Sequence, residues 1–221
     1  MKIAAWCFLA LFALSSAIHL FHSWKDDTKK RRVTKPMLLL CLIGYYVCSA
    51  DPLSLLLLFA LITSWLGDVL LIPKGNLWFI LGGVSFLASH ILFITVYTGQ
   101  VDFSSILWPV VIPVAAVYLG ISAAVMLCVR KTTPKPMFIP MFLYLAANST
   151  MNLFALMQLL TLKNTGALLA YLGAVLFFAS DCTLFLLRYH ENKKLIFKKH
   201  FTIMLTYLAG EFLITFGMVM L

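Results

Sequence analysis

Apolar side chains run in long stretches along this chain, separated by short segments that hold most of its charge. Runs of spanning length cover residues 3–22, 53–72, 77–98, 106–129, 137–161, 165–188 and 201–221. A helix needs about twenty mainly apolar residues to cross a hydrocarbon core ~30 Å thick. An eighth run, 37–50, is short for that distance and relies on snorkelling flanks. Residues 37–72 together exceed one helix, and Ser49-Ala50-Asp51-Pro52 breaks them into a tight hairpin. The pattern predicts an all-α fold, a polytopic membrane helical bundle of eight transmembrane helices, with residues 1–221 as a single transmembrane domain.

The cations test this count. Lys25, Lys29, Lys30, Arg31, Arg32 and Lys35 follow helix 1, and Lys74 follows helix 3. Arg130, Lys131 and Lys135 follow helix 5, and Arg188, Lys193, Lys194, Lys198 and Lys199 follow helix 7. These are fifteen of the seventeen lysines and arginines; only Lys2 and Lys163 fall on the other side. Cytoplasmic loops carry the excess of Lys and Arg, so both termini are expected to be extracytoplasmic. Residues 1–17 have the outline of a signal peptide, but cleavage there would leave the most basic segment outside. Short loops and a compact size point to a bacterial inner membrane.

Composition agrees. The chain is 62% hydrophobic and 11% charged over 221 residues, far from the balance of a soluble domain. Its net charge of +9 comes from the topology signals, so nucleic acid is not expected as a partner. The five cysteines lie inside apolar runs without metal-ligand or CxxC spacing and read as small buried hydrophobes. Lys35-Pro36-Met37 and Lys135-Pro136-Met137 open helices 2 and 6, a faint echo that ordinary helix-start chemistry also explains.

Against this background two carboxylates stand out, Asp68 and Asp181, each inside an apolar run. A charged side chain in hydrocarbon costs roughly 2.5–3.5 kcal/mol on insertion scales, which makes it a functional candidate by default. Helices 3 and 7 both run toward the basic side, and at 1.5 Å per residue both carboxylates sit roughly 6–11 Å from that boundary. Ser64 lies one turn from Asp68. Helix 6 presents Tyr144, Asn148 and Asn152 in one stripe, and helix 8 presents Tyr207, Glu211 and Thr215. These suit a polar cavity opening to the cytoplasm; interhelical bonding accounts for the asparagines and tyrosines equally well. His90 falls about 10 Å deeper than the aspartates on an ideal-helix count and reads as a core histidine. His19, His22, His190 and His200 read as interfacial.

Two carboxyl groups in one low-dielectric site cannot both ionise easily, so one keeps its proton and identical side chains become acid and base. That arrangement cleaves acetal-type C–O bonds through oxocarbenium-like states. A vinyl ether fits it: protonation at carbon gives the oxocarbenium ion, a carboxylate stabilises it, and water adds to give a hemiacetal that collapses to aldehyde and alcohol. Zinc chemistry would want about three protein ligands, often histidines, and the sequence supplies none at the aspartates' level besides the carboxyls. No GxSxG, HExxH, P-loop or dinucleotide fingerprint is present.

Lys35-Pro36, Ser64-Trp65-Leu66-Gly67-Asp68-Val69-Leu70-Leu71 and Phe86-Leu87-Ala88-Ser89-His90-Ile91-Leu92-Phe93 resemble blocks of the YhhN-type lysoplasmalogenase family. So do Gly173 through Asp181 and Thr206-Tyr207, in family order over residues 35 to about 215. The resemblance implies an integral membrane hydrolase without a cofactor or metal. Its substrate would be the vinyl ether bond of lysoplasmalogen, a lysophospholipid, and its products a fatty aldehyde and glycerophosphoethanolamine or glycerophosphocholine. It maps the paired catalytic acids onto Asp68 and Asp181. Lys35, Ser64, His90, Tyr144, Asn148, Asn152, Tyr207 and Glu211 would then contact phosphate, glycerol or the vinyl-ether oxygen. Glu211 departs from the pattern, which leads one to expect a glutamine there. Three alternatives stay open: a metal-dependent membrane lipid amidase, which chelators would inactivate; a proton-coupled transporter, which would move protons without turnover; and a structural protein indifferent to loss of the aspartates.

Overall fold

A computed structural model describes residues 3–192 and 194–221. Lys2 and Lys193, which enter the charge tally, lie outside the described residues. Eight α-helices account for nearly all of the described chain: α1 Ile3–Trp24, α2 Thr28–Ser49, α3 Leu55–Leu70, α4 Asn76–Thr98, α5 Trp108–Val129, α6 Lys135–Leu162, α7 Thr165–Tyr189 and α8 His200–Val219. A short 3₁₀ turn, Phe103–Ser105, sits in the α4–α5 connection, and no strand occurs among the described residues. Six of the helices, all but α2 and α3, are long and apolar enough to cross a membrane.

Helix 2 departs most from its expected bounds. In place of 37–50, α2 spans 22 residues from Thr28, with the basic run wound into its first turns and Pro36 inside it. The Asp27 side chain caps this start by accepting from Lys30 N (3.2 Å), a bond that satisfies one of the orphan donors of a helix start. Lys35-Pro36 is therefore an internal turn of α2 rather than its beginning. The expected hairpin after Ser49 is present: Ser54 caps α3, and the Tyr46 hydroxyl bonds both backbone groups of Ser54. Gly75, at φ 128°, makes the turn into α4 in a backbone region that side chains resist.

Packing places the acids. The chain pairs α1 with α2, α3 with α4 and α7 with α8; α4 and α7 both lie on α6, and α8 closes against α1 and α2. The closest approach is α7 on α8, where glycines seven residues apart face each other. A Cβ on Gly173 would lie 2.6 Å from the Gly210 carbonyl oxygen, and one on Gly166 would lie 2.8 Å from that of Gly217. Backbone contact of this kind is how membrane helices associate when lipid gives no hydrophobic drive. Gly67 on α3 likewise gives way to the ring of Phe86 on α4. Asp68 and Asp181 thus ride on helices whose neighbours are held at short range.

Candidate functional site

Asp68 lies near the end of α3, nearly fully buried, with a different partner on each oxygen. The Lys35 ammonium is 3.1 Å from Oδ1, and the Tyr207 hydroxyl donates to Oδ2 at 2.9 Å. Lys35 reaches it because α2 is fastened to α3 there: Trp65 Nε1 donates to the Pro36 carbonyl at 2.9 Å. A buried carboxylate needs such partners, since its transfer from water is otherwise very costly.

Asp181, on α7, gathers its partners on one oxygen. Tyr144 Oη (2.8 Å) and Asn148 Nδ2 (2.7 Å) donate to Oδ2, and His90 Nε2 lies 3.5 Å from it. His90 Nδ1 is 2.5 Å from the Phe86 carbonyl, which only accepts, so Nδ1 carries a hydrogen. His90 is fully buried, its ring 5.1 Å from that of Tyr144 and 4.9 Å from that of Phe177. The ideal-helix count put it well beyond the aspartates. Such a count assumes parallel helices with level ends, and tilted helices with side chains reaching along the axis break that assumption.

Other candidates fall at different distances from the acids. Asn152 bonds Asn148 (3.0 Å to its Oδ1) and accepts from Tyr118 (3.1 Å), so it orients the asparagine that holds Asp181. The Ser64 and Ser89 hydroxyls pair at 2.7 Å. Glu211 is fully buried with Ser64 as a polar neighbour, and neither of its oxygens makes a hydrogen bond of regular geometry; nor do the Thr215 and Tyr97 hydroxyls. His19, expected at the interface, is buried and bonds Thr34 at 2.7 Å.

Both aspartates open into one chamber of about 280 Å³, with Lys35, Phe86 and Tyr207 also in its wall. Toward the basic end it meets a wider mouth of about 480 Å³. The mouth is lined by Arg31, Arg32, Lys35, Lys74 and Arg188 with a single acid, Asp26. Sideways, Leu71, Phe79, Phe86 and Leu184 are shared with an apolar groove of about 210 Å³ between α4, α6 and α7. Arg31 and Arg188 were missed by sequence reasoning, though spacing offered a signal. Arg31 precedes Lys35 by four residues and Arg188 follows Asp181 by seven, one and two helical turns on the same face. Arg188 is held in place by Phe79, whose ring lies 3.8 Å below its guanidinium, and by Asn76 Oδ1 at 2.9 Å. Among the described residues no three His, Cys, Asp or Glu side chains converge as a metal-ligand group.

A family model described as the YhhN family matches residues 30–218. "Uncharacterized membrane protein YhhN" of Escherichia coli O6:H1 is 30% identical to this chain over 179 residues, covering 80% of this chain and 82% of that protein. The proteins of the same name from Escherichia coli O157:H7 and Shigella flexneri match at the same 30% identity over the same shares. No solved structure matches.

Proposed function

The chain belongs to the YhhN family of membrane proteins, and we propose that it is a lysoplasmalogenase-type hydrolase working through Asp68 and Asp181. The observation that carries this reading is the position of the acid chamber, between a cationic mouth and an apolar groove. A lysophospholipid with a vinyl ether is charged at one end, apolar at the other, and carries its reactive bond between them. Its phosphate suits the arginines and lysines of the mouth, since guanidinium groups bind phosphate oxygens well. The amphiphile then presents the vinyl ether at the level of the two carboxyls.

The chemistry divides between them. Asp68, ion-paired with Lys35, serves as the carboxylate that stabilises positive charge and activates water. Asp181, whose three contacts all fall on Oδ2, serves as the proton donor in this reading, with Oδ1 left for the substrate. Proton transfer to the vinylic carbon that bears the alkyl chain leaves the oxocarbenium ion at the carbon bearing oxygen. Water adds there and gives up a proton to the site, and the hemiacetal C–O bond to glycerol then breaks. The hemiacetal hydroxyl gives its proton to the site as the aldehyde forms around the added oxygen, the glycerol oxygen takes a proton from the site, and the site ends with the protons it began with. One water is consumed per turnover.

In this reading Tyr144 and Asn148 hold Asp181, Tyr207 holds Asp68, and His90 sits beside the proton donor. Asn152, Ser64 and Glu211 form the surrounding polar shell. In this reading the mouth opens to the cytoplasm of a bacterial inner membrane, with eight crossings and both termini on the far side, an orientation that the excess of cations on the mouth's side favours. The test is aldehyde release from a pure vinyl-ether lysolipid by detergent-purified protein. Asp68→Asn and Asp181→Asn should each lower the rate by roughly 10²–10⁴-fold, the usual contribution of a positioned acid or base. Both variants should still unfold cooperatively and bind lysolipid. Turnover like that of the unaltered protein in either variant would overturn the two-carboxylate mechanism.

A further inference from the structure

We propose that the groove between α4 and α6 is a lateral port that holds the hydrocarbon chain of the lysolipid, and that Gly83 sets how bulky a chain it admits. The proposal rests on the hydrolase reading for the identity of the substrate, but its geometry stands independently.

The lining is apolar except for one hydroxyl, that of Tyr144. This hydroxyl donates to Asp181, and Leu71, Phe79, Phe86 and Leu184 line groove and chamber alike, so the two spaces adjoin. The outer rim faces lipid: Ile80, Val84 and Leu143 are 40%, 58% and 55% exposed. A chain can thus lie with one end in the bilayer and the other at the carboxyls. Transfer from lipid to such a groove exchanges hydrocarbon for hydrocarbon, so it gains little free energy and selects by shape.

Two adjacent glycines on α4 make the argument specific. A Cβ on Gly82 would lie 2.8 Å from Leu71 Cδ2, so that glycine serves packing of α4 on α3. A Cβ on Gly83 would meet nothing within 4 Å, so close packing does not explain it. It lines the groove together with Pro140 and Leu143 of α6, so its missing side chain leaves room there. Met137 and Met141 on the facing wall are flexible enough to fit chains of different shape.

The basic mouth gives the complementary end. Arg31, Arg32, Lys74 and Arg188 lie on the other side of Leu71 and Phe79, the two residues common to mouth and groove. Phosphate in the mouth and chain in the groove place the intervening atoms over the acids. Bulk lipid occupying the groove at random would lack this link to the chamber.

The experiment compares long-chain and short-chain vinyl-ether lysolipids with one headgroup, on the unaltered protein, Gly83→Leu and Leu143→Trp. A long-chain lysolipid carrying an alkyl diazirine serves as photolabel. We expect Gly83→Leu to lose at least about tenfold more in kcat/KM for the long chain than for the short chain. Leu143→Trp should follow the same pattern from the opposite wall. The photolabel should mark α4 and α6 peptides around Gly83 and Leu143, be displaced by unlabelled lysolipid, and be lost in Gly83→Leu. Equal turnover of both chains in both folded variants would overturn the port. So would labelling that lysolipid does not displace, which would assign the groove to bilayer lipid. Absence of turnover in the unaltered protein, with displaceable labelling of the groove, would instead sink the hydrolase reading and leave the lipid site standing.

Discussion

Removing one member of a buried ion pair is costly mainly for what it strands. Lys35 is 16% exposed and Asp68 only 3%, so the two partners have different escapes. Without Asp68, the Lys35 ammonium can snorkel on its flexible stem toward the mouth. Without Lys35, the carboxylate keeps only Tyr207. We therefore expect Lys35→Met to lower thermal stability more than Asp68→Asn, since an uncompensated buried charge costs ~3–5 kcal/mol. The double variant should recover part of the loss, with a coupling of ~0.5–3 kcal/mol in a thermal-unfolding cycle. Additive losses would mean that the pair is not formed in the membrane. At this scale the sequence was informative about depth and helix face: Asp68, Asp181, Tyr144, Asn148 and Tyr207 all stood out as polar residues at related levels. It was silent about which oxygen meets which donor. Spacing along one helix places neighbours on that helix, whereas the Lys35–Asp68 and Tyr207–Asp68 contacts join α2, α3 and α8. Glu211 was legible as a buried carboxyl but not as one without a hydrogen bond of regular geometry.

Helix ends and helix partners were legible to different degrees. Apolar run lengths located α3 through α8 closely, because hydrocarbon thickness fixes span length. The same rule failed at α2, where charged residues at 29–35 read as loop but continue the helix into the polar region. Partner choice was harder still. Gly166, Gly173, Gly210 and Gly217 are plain in the chain at seven-residue spacing, yet only the packed bundle pairs them across α7 and α8. A methyl on Gly173 has no room, lying 2.7 Å from Ile214 N as well as close to the Gly210 carbonyl. We expect Gly173→Ala to cost ~1–3 kcal/mol, the usual range for overpacking. Because α8 carries Tyr207, the same change should also reduce turnover by loosening its bond to Asp68. Gly120→Ala on α5 is the control: its Cβ meets nothing within 4 Å, so stability should hold or rise by up to ~1 kcal/mol. Thermal unfolding of both variants in one detergent decides; equal behaviour would refute the close α7–α8 packing.

At the scale of the whole molecule, α2 and α3 decide between eight crossings and six. Neither meets the length and composition expected of a span: α3 has 16 residues, about 24 Å at 1.5 Å per residue, and α2 carries its cations in the first two turns. One arrangement would leave both as a hairpin folded back on the basic side, with Asp51 beside Lys74. The interior argues for crossing. Leu38, Leu39, Leu42 and Tyr45 of α2 and Leu57, Ala60 and Leu61 of α3 are essentially fully buried within the common core. A surface hairpin would turn one face of each helix to water, whereas Leu40 and Val47 of α2, and Leu55 and Phe59 of α3, are exposed apolar residues suited to lipid. A bilayer thinned locally around a spanning α3 would accommodate the mismatch at a fraction of a kcal/mol per Å. We therefore expect Asp51→Cys, in a background without the five native cysteines, to react with an impermeant maleimide from the same side as Asn164→Cys. Lys74→Cys and Lys131→Cys should react only from the opposite side. Labelling of Asp51→Cys together with Lys74→Cys would reduce the crossings to six, and would require Asp68 to approach its chamber from a re-entrant helix rather than a spanning one.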